Sequence, residues 1–226
     1  MIIIKQEINS KVQNKKLLKR KALINAGAKM FSEKGFTETS IKNITDEASV
    51  AVGTFYTYFQ TKEELLIQIY EEILNISLGT ADKSSKNEGV SVERKFTAAL
   101  SSTICAYIKN SELSKVLLIK SVGINVELEE KRCKVLERTN DYIKYVINHL
   151  KKEHKIEIND VNITSIIITQ SILGTIISFI ENKVKINLND MIYSICVYHL
   201  NALKIEYDQA DIGNCINDTV KLYCKN

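Results

Sequence analysis

Apolar positions recur at helical spacing along almost the whole chain. Leu23, Ala26, Gly27, Met30 and Phe31 fall at i, i+3, i+4, i+7 and i+8, one face of a helix that the pattern starts near Lys15. Gly35 supplies its stop, and Phe36 packs back beneath it. Thr39 or Ser40 can cap a second helix whose Ile41, Ile44 and Ala48 face inward. After a turn at Ser49, Val50, Phe55 and Phe59 repeat the inward spacing in a third, very short helix. Thr61-Lys62-Glu63-Glu64 is a capping box that opens a fourth, with Leu65, Leu66, Ile69 and Ile73 on its inner side. Gly79 to Ser91 then reads as a loop or hinge, rich in Gly, Ser, Lys and Asn. Helical patterns resume over 92–109, 112–122, 127–154, 160–184 and 188–205, with Asn159-Asp160 and 187–190 as caps for the last two. Beyond Ile205 no clear period is visible.

Composition agrees with this reading. The 226 residues contain no proline and 8 glycines, so little breaks a helix, and no strand alternation appears; the expected class is all-α. The net charge of +4 is modest but uneven. Through Lys62 there are eleven Lys and Arg against five Asp and Glu, so the start is basic and the remainder slightly acidic. A basic end on a near-neutral body suits a phosphate-facing unit; a solvated lysine surface explains the charge equally well. The five cysteines, Cys105, Cys133, Cys196, Cys215 and Cys224, are widely spaced and form no CxxC. They read as buried apolar residues or free thiols of a reducing, cytoplasmic setting. Met1 to Ile4 is too short for the apolar core of a signal peptide. The most apolar stretch, Ile163 to Ile180, carries enough hydroxyls to favour a buried helix over a membrane span.

The densest signal lies between Leu23 and Tyr70. Ala48 to Phe59 packs helix, tight turn and stubby helix together with almost no slack. A core rarely needs so short a helix, whereas a helix-turn-helix that inserts a reading helix into a DNA groove does. The residues Met30-Phe31-Ser32-Glu33-Lys34-Gly35-Phe36, Thr39-Ser40-Ile41-Lys42-Asn43-Ile44, Val50, Gly53-Thr54-Phe55-Tyr56, Tyr58-Phe59 and Lys62-Glu63-Glu64-Leu65 follow in order and nearly without gaps. This segment resembles the N-terminal DNA-binding domain of the TetR family of bacterial transcriptional regulators. The resemblance covers about a fifth of the chain. Ser49 departs from it, standing where the family usually has glycine in the turn, as does Thr45, which replaces an alanine.

Each candidate contact has its own chemistry. Gly53 lets the backbone of the reading helix come close to the groove. Thr54 can meet a phosphate or base edge, and Val52 and Ala51 a thymine methyl. Tyr56 and Tyr58 can present hydroxyls to phosphates. Ser40, Lys42 and Lys62 are the remaining candidates, Lys62 at a helix start whose N–H groups also favour an anion. The basic run Lys11 to Lys21 reads as an arm, either touching DNA or making no contact.

The resemblance implies an N-terminal extension over 1–14, a three-helix DNA-binding domain over 15–62, a helical ligand-binding and dimerisation domain over 63–205, and a tail over 206–226. It further implies a homodimeric repressor that leaves a palindromic, double-stranded operator when a small molecule enters the C-terminal part. Candidate pocket walls are Phe96, Ile104, Tyr107, Ile108, Tyr142, Ile166, Gln170, Leu173 and Phe179, which suit a hydrophobic effector; the bland alternative is that they are ordinary core. Ile172, Ile176, Ile180, Met191, Ile195, His199 and Leu203 form the expected dimer stripe, with completion of the monomer core as the alternative. No enzyme is expected: His149 and His154 are wrongly spaced for a metal pair, and no phosphate loop, catalytic triad or paired-carboxylate motif occurs, so neither cofactor nor metal is implied. No membrane partner is expected either. The rival reading is a helical adaptor or membrane-surface protein with a basic N-terminus.

Overall fold

The computed structural model describes residues 2–85, 90–154 and 156–224, and within these the side chains of all but 2–12, 85, 153 and 154. The described residues form α-helices and no strand. The N-terminal unit consists of α1 (Ile2–Lys34), α2 (Ile41–Glu47), α3 (Val52–Tyr58) and the first half of α4 (Lys62–Ser85). The body contains α5 (Val92–Lys109), α6 (Ser111–Lys115) running into a π-helical stretch (Val116–Lys120), α7 (Val126–His154), α8 (Val161–Ile180), α9 (Leu188–Ala202) and α10 (Gln209–Tyr223).

Three boundaries differ from the sequence reading. The first helix begins at Ile2 rather than near Lys15, so the basic run Lys11–Lys21 is part of a rod and not a separate arm. Nothing between Ile2 and Asn25 breaks a helix, and lysine, glutamine and leucine all favour one. The anticipated hinge is shorter than 79–91, because Gly79 to Ser85 complete α4; residues 86–89 of that hinge lie outside the described residues. The segment after Ile205 holds α10, whose buried Ile212, Cys215, Ile216, Thr219 and Val220 form an i, i+3, i+4, i+7, i+8 stripe against α5. That stripe is hard to see beforehand because a cysteine and a threonine supply two of its five members.

α4 links the two parts mechanically. Its Leu65, Leu66 and Ile69 are buried in the N-terminal core, and Ala81, four to five turns further on, sits against the body. Gly27 shows how tightly α1 and α4 meet: a Cβ there would lie 2.7 Å from Leu65 Cδ2. Its apparent helix weakness is therefore a requirement of close approach. The five cysteines carry no disulfide; Cys105, Cys196 and Cys215 are buried.

Candidate nucleic-acid interface and ligand cavity

α2 and α3 are set by caps and by a strained turn. Ser40 is the cap of α2: its Oγ accepts from the Asn43 N–H at 3.1 Å, and its own N–H donates to Asn43 Oδ1 at 3.0 Å. Thr39 serves the preceding helix instead, its hydroxyl donating to the Gly35 and Met30 carbonyls at 2.7 and 3.2 Å. Thr45 is buried with its hydroxyl on the Lys42 carbonyl. Ser49 holds φ +53°, the left-handed conformation that makes glycine the easier residue there. It turns the chain so that α3 leaves with Phe55 and Phe59 buried and ring centroids 5.7 Å apart.

With Phe55 inward, the front of α3 faces out. Ala51 is its N-cap residue, and Ala51, Val52, Gly53 and Tyr56 are exposed; Thr54 is half-buried. The Tyr56 ring stands edge-on to Phe55, which fixes its direction while its hydroxyl end remains at the surface. Gly53 has helical φ, and a Cβ would meet nothing within 4 Å, so nothing inside the protein asks for glycine here. Lys42 is exposed on α2, and Tyr58 packs partly against the core.

Lys62 has a different place from the one its sequence position suggests. Its Nζ donates to the carbonyls of Phe36 at 2.7 Å, Thr39 at 2.8 Å and, more weakly, Thr37 at 3.4 Å, and lies 4.4 Å from the Phe36 ring centroid. An ammonium has three donors. All are directed at the loop between α1 and α2, so Lys62 is first a clamp on that loop. Arg20, which the sequence pattern did not single out, ties α1 to α4 through Gln68 and lies 5.6 Å from the centroid of the Phe59 ring.

In the body, α4, α5, α7 and α8 enclose an apolar cavity of about 40 Å³. Of the anticipated walls, Phe96, Tyr107, Tyr142 and Leu173 line it. Ile104 is buried away from it, Ile108 and Phe179 are half-buried elsewhere, and Ile166 and Gln170 are exposed on the far side of α8. The cavity abuts a wider, more polar recess of about 210 Å³ that shares Phe96, Ala99, Tyr142 and Val146 and adds Asp82, Lys95, Tyr145 and His149. The anticipated dimer stripe divides: Met191, Ile195 and His199 line the floor of an open groove, and the rest packs inward. Ile172, Ile176, Met191, Ile195, His199 and Leu203 are buried within the chain, Ile180 is half-buried, and Ile163, Ile166, Ile167 and Tyr198 face outward instead. α8 carries two apolar stripes of equal quality, Ser165-Ile168-Thr169-Ile172-Leu173-Ile176 inward and Ile163-Ile166-Ile167 outward, and periodicity alone does not rank them. Between α8 and α9 runs an open groove of about 430 Å³ in which Ser171 Oγ and His199 Nε2 are 2.9 Å apart. Burial lowers the His199 pKa to about 4. Among the described residues, no group of His, Cys, Asp and Glu is placed to hold a metal ion.

Comparison with known proteins fits this architecture. Residues 23–69 match the model of the bacterial regulatory proteins, tetR family. The fatty acid metabolism regulator protein of Bacillus subtilis is 25% identical over 115 residues, covering 51% of this chain and 59% of that protein. The alignments to the next two curated relatives span only 23% and 21% of their lengths. Among solved structures, the fatty acid degradation regulator FadR from Bacillus halodurans superposes with a TM-score of 0.73 at 20% identity, over 84% of this chain and 97% of that one. FadR from Bacillus subtilis in complex with stearoyl-CoA gives 0.68 at 21% identity, over 77% and 94%. These likenesses extend over an N-terminal helix-turn-helix and a C-terminal helical body alike, so the fold is shared well beyond the matched segment. The helix-turn-helix domain of this chain, residues 23–69, belongs to the TetR family of bacterial regulatory proteins.

Proposed function

We propose that this chain is a ligand-responsive, DNA-binding transcriptional regulator, a cytoplasmic dimeric repressor that leaves a palindromic operator when a hydrophobic small molecule binds its body. The observation that carries the reading is the front of α3. Ala51, Val52, Gly53, Thr54 and Tyr56 are presented on a helix anchored by buried Phe55, and Gly53 is bare where only an outside surface benefits. Val52 and Ala51 offer methyls to thymine, while Thr54, Tyr56, Tyr58, Ser40 and Lys42 offer polar groups to phosphates and base edges. Lys62 acts mainly by holding the loop in front of α2, with its charge adding to the local field.

The dimer is assigned to the outward face of α8, with Ile163, Ile166 and Ile167, and to Tyr198 of α9; the partner's equivalents would fill the groove between the two helices. By length and hydropathy α8 is also able to cross a membrane. A membrane-spanning role would require Ile168, Ile172 and Ile176 to leave the core they pack in, which makes the subunit interface the better use of the exposed face.

For the effector we infer an acyl chain whose polar head occupies the recess beside Lys95 and His149. Support comes from the apolar cavity behind that recess and from the neighbour solved with stearoyl-CoA. α4 is the transmitter. Ala81 forms part of the cavity wall and Lys62 the clamp under α2, roughly 28 Å apart on one helix. Displacing one end tilts the other, which alters the separation of the two reading heads and lowers operator affinity.

The test is fluorescence anisotropy against duplexes tiling the DNA upstream of the protein's own gene and its neighbours, at several salt concentrations and with acyl-CoA added. Tight, salt-sensitive binding to a tile with an inverted repeat, relieved by acyl-CoA, is the expected result. Uniform weak binding that is indifferent to Tyr56→Phe, together with adsorption to anionic vesicles, would instead favour the membrane-surface reading.

A further inference from the structure

The cavity is apolar except at one place. Five hydroxyl-bearing side chains line it, and three of these are engaged by the protein: Thr103 donates to the Ala99 carbonyl at 2.8 Å, Thr169 donates to Asn140 Oδ1 at 3.2 Å, and Tyr142 has a partner of its own. Tyr107 and Thr139 are different. Both are buried, and neither hydroxyl finds a hydrogen-bond partner among the described residues. They come from facing helices, α5 and α7, and burial raises the Tyr107 pKa, with only the nearby Ser77 and Thr139 hydroxyls working against that rise. Leaving two adjacent hydroxyls without a well-formed hydrogen bond in an apolar wall is costly, and buried polar groups of this kind are matched in nearly all proteins. A Phe and a Val of the same shape would avoid the cost.

Their position along the cavity gives the pair a meaning. The recess is framed by Asp82 on α4, by Lys95 and Phe96 on α5 and by His149, Val146 and Tyr145 on α7. From there the wall runs down α5 through Ala99 and Thr103 to Tyr107, and down α7 through Ile143 to Thr139. At the rise of an α-helix, Tyr107 and Thr139 stand roughly 15–18 Å beyond Lys95 and His149. The polar pair thus lies at the end of the lining far from that recess, where a saturated chain would leave both hydroxyls unmatched.

We propose that Tyr107 and Thr139 select an effector whose chain is oxygenated at its far end, a hydroxyl or carbonyl oxygen that pairs with both residues after the head has settled at Lys95 and His149. This rests on the acyl-effector reading given above and narrows it. A site that holds a polar pair discriminates strongly against the analogue lacking the matching oxygen, because that analogue buries the pair unpaired.

Isothermal titration of the full-length dimer decides it, with matched pairs of capric, lauric, myristic and palmitic acids and their ω-hydroxy forms, each as free acid and as coenzyme A thioester. The expected result is that at least one ω-hydroxy form binds about tenfold or more tightly than its saturated partner. Tyr107→Phe and, separately, Thr139→Val bring that ratio close to one. Two variants guard against one of them misfolding. Equal affinities within every pair, or a preference untouched by both variants, overturn the proposal while leaving an acyl effector in place. Absence of binding by every chain overturns it together with the acyl reading.

Discussion

α3 and α8 solve the problem of having two faces in opposite ways. α3 has seven residues and one fully buried side chain, Phe55; Thr54 and Tyr58 are half-buried and the others lie at the surface. α8 has twenty residues, apolar nearly all round, with six buried on one side and a row of isoleucines exposed on the other. The precision of α3 comes from outside itself: the Ser49 turn, the Ser40–Asn43 cap and the Lys62 clamp fix it. α8 is fixed by its own inward stripe, and its outward stripe is exposed. A short helix can be oriented by one aromatic, whereas a long apolar one is oriented only by what packs against it.

The largest effect tests α8. Ile176→Ala, at a fully buried site, should cost about 2–5 kcal/mol in urea unfolding. Ile167→Glu, on the outward face, should leave the subunit folded but shift sedimentation from dimer to monomer and abolish operator binding. If Ile167→Glu unfolds the chain while Ile176→Ala is harmless, the two faces have been assigned the wrong way round.

A second test uses His199, beneath the groove between α8 and α9. Its folded pKa of about 4 lies below the ordinary 6.5, so the unfolded chain takes up the proton first. Stability is therefore complete above about pH 6.5 and falls as the pH drops toward 4, by on the order of 3 kcal/mol from this group. His199→Gln should flatten that portion of the urea-unfolding profile, and an unaltered slope would remove His199 as its source.

On the α3 side, Lys62→Ala leaves the Phe36 and Thr39 carbonyls without their charged donor and should lower stability by about 1–3 kcal/mol, seen as a reduced Tm. Lys42→Ala, at an exposed position, should leave Tm alone and reduce the salt dependence of DNA binding by about one ion. Equal melting of the two variants would mean that the clamp contributes nothing. Tyr56→Phe should weaken operator binding by about 1 kcal/mol without changing Tm, since the ring still packs on Phe55. The smallest effect is at Ser49, where glycine relieves the left-handed φ; Ser49→Gly should raise stability by about 0.5–1 kcal/mol. A loss there would show that the serine side chain supports the turn.

Much of the N-terminal unit was legible because its signals are local. Gly35, the Ser40 cap, the positive φ at Ser49 and the inward set Ile44, Phe55 and Phe59 each depend on residues a few positions apart. Lys62 shows the limit even there. Its place at a helix start suggested an anion contact, yet the loop that claims its ammonium comes from more than twenty residues earlier. In the body the limit is reached sooner. Phe96, Tyr107, Tyr142 and Leu173 line the cavity as expected, but Ile166 and Gln170 are exposed while Ile172 and Ile176 are buried, because a helix apolar on every side carries no phase of its own. α10 was missed because its buried stripe borrows a cysteine and a threonine.

By itself, the sequence determined that this chain is all helical, where its short-range turns and caps fall, and that a helix-turn-helix with a bare, outward reading helix stands near its start. Those properties follow from backbone propensity, capping and local periodicity, which act within a few residues. Only the tertiary structure decided which face of α8 is buried, that Lys62 holds a loop, and that the Tyr107 and Thr139 hydroxyls come together in the wall of an apolar cavity. These depend on which distant helices come together, and spacing along one helix contains no information about its neighbour.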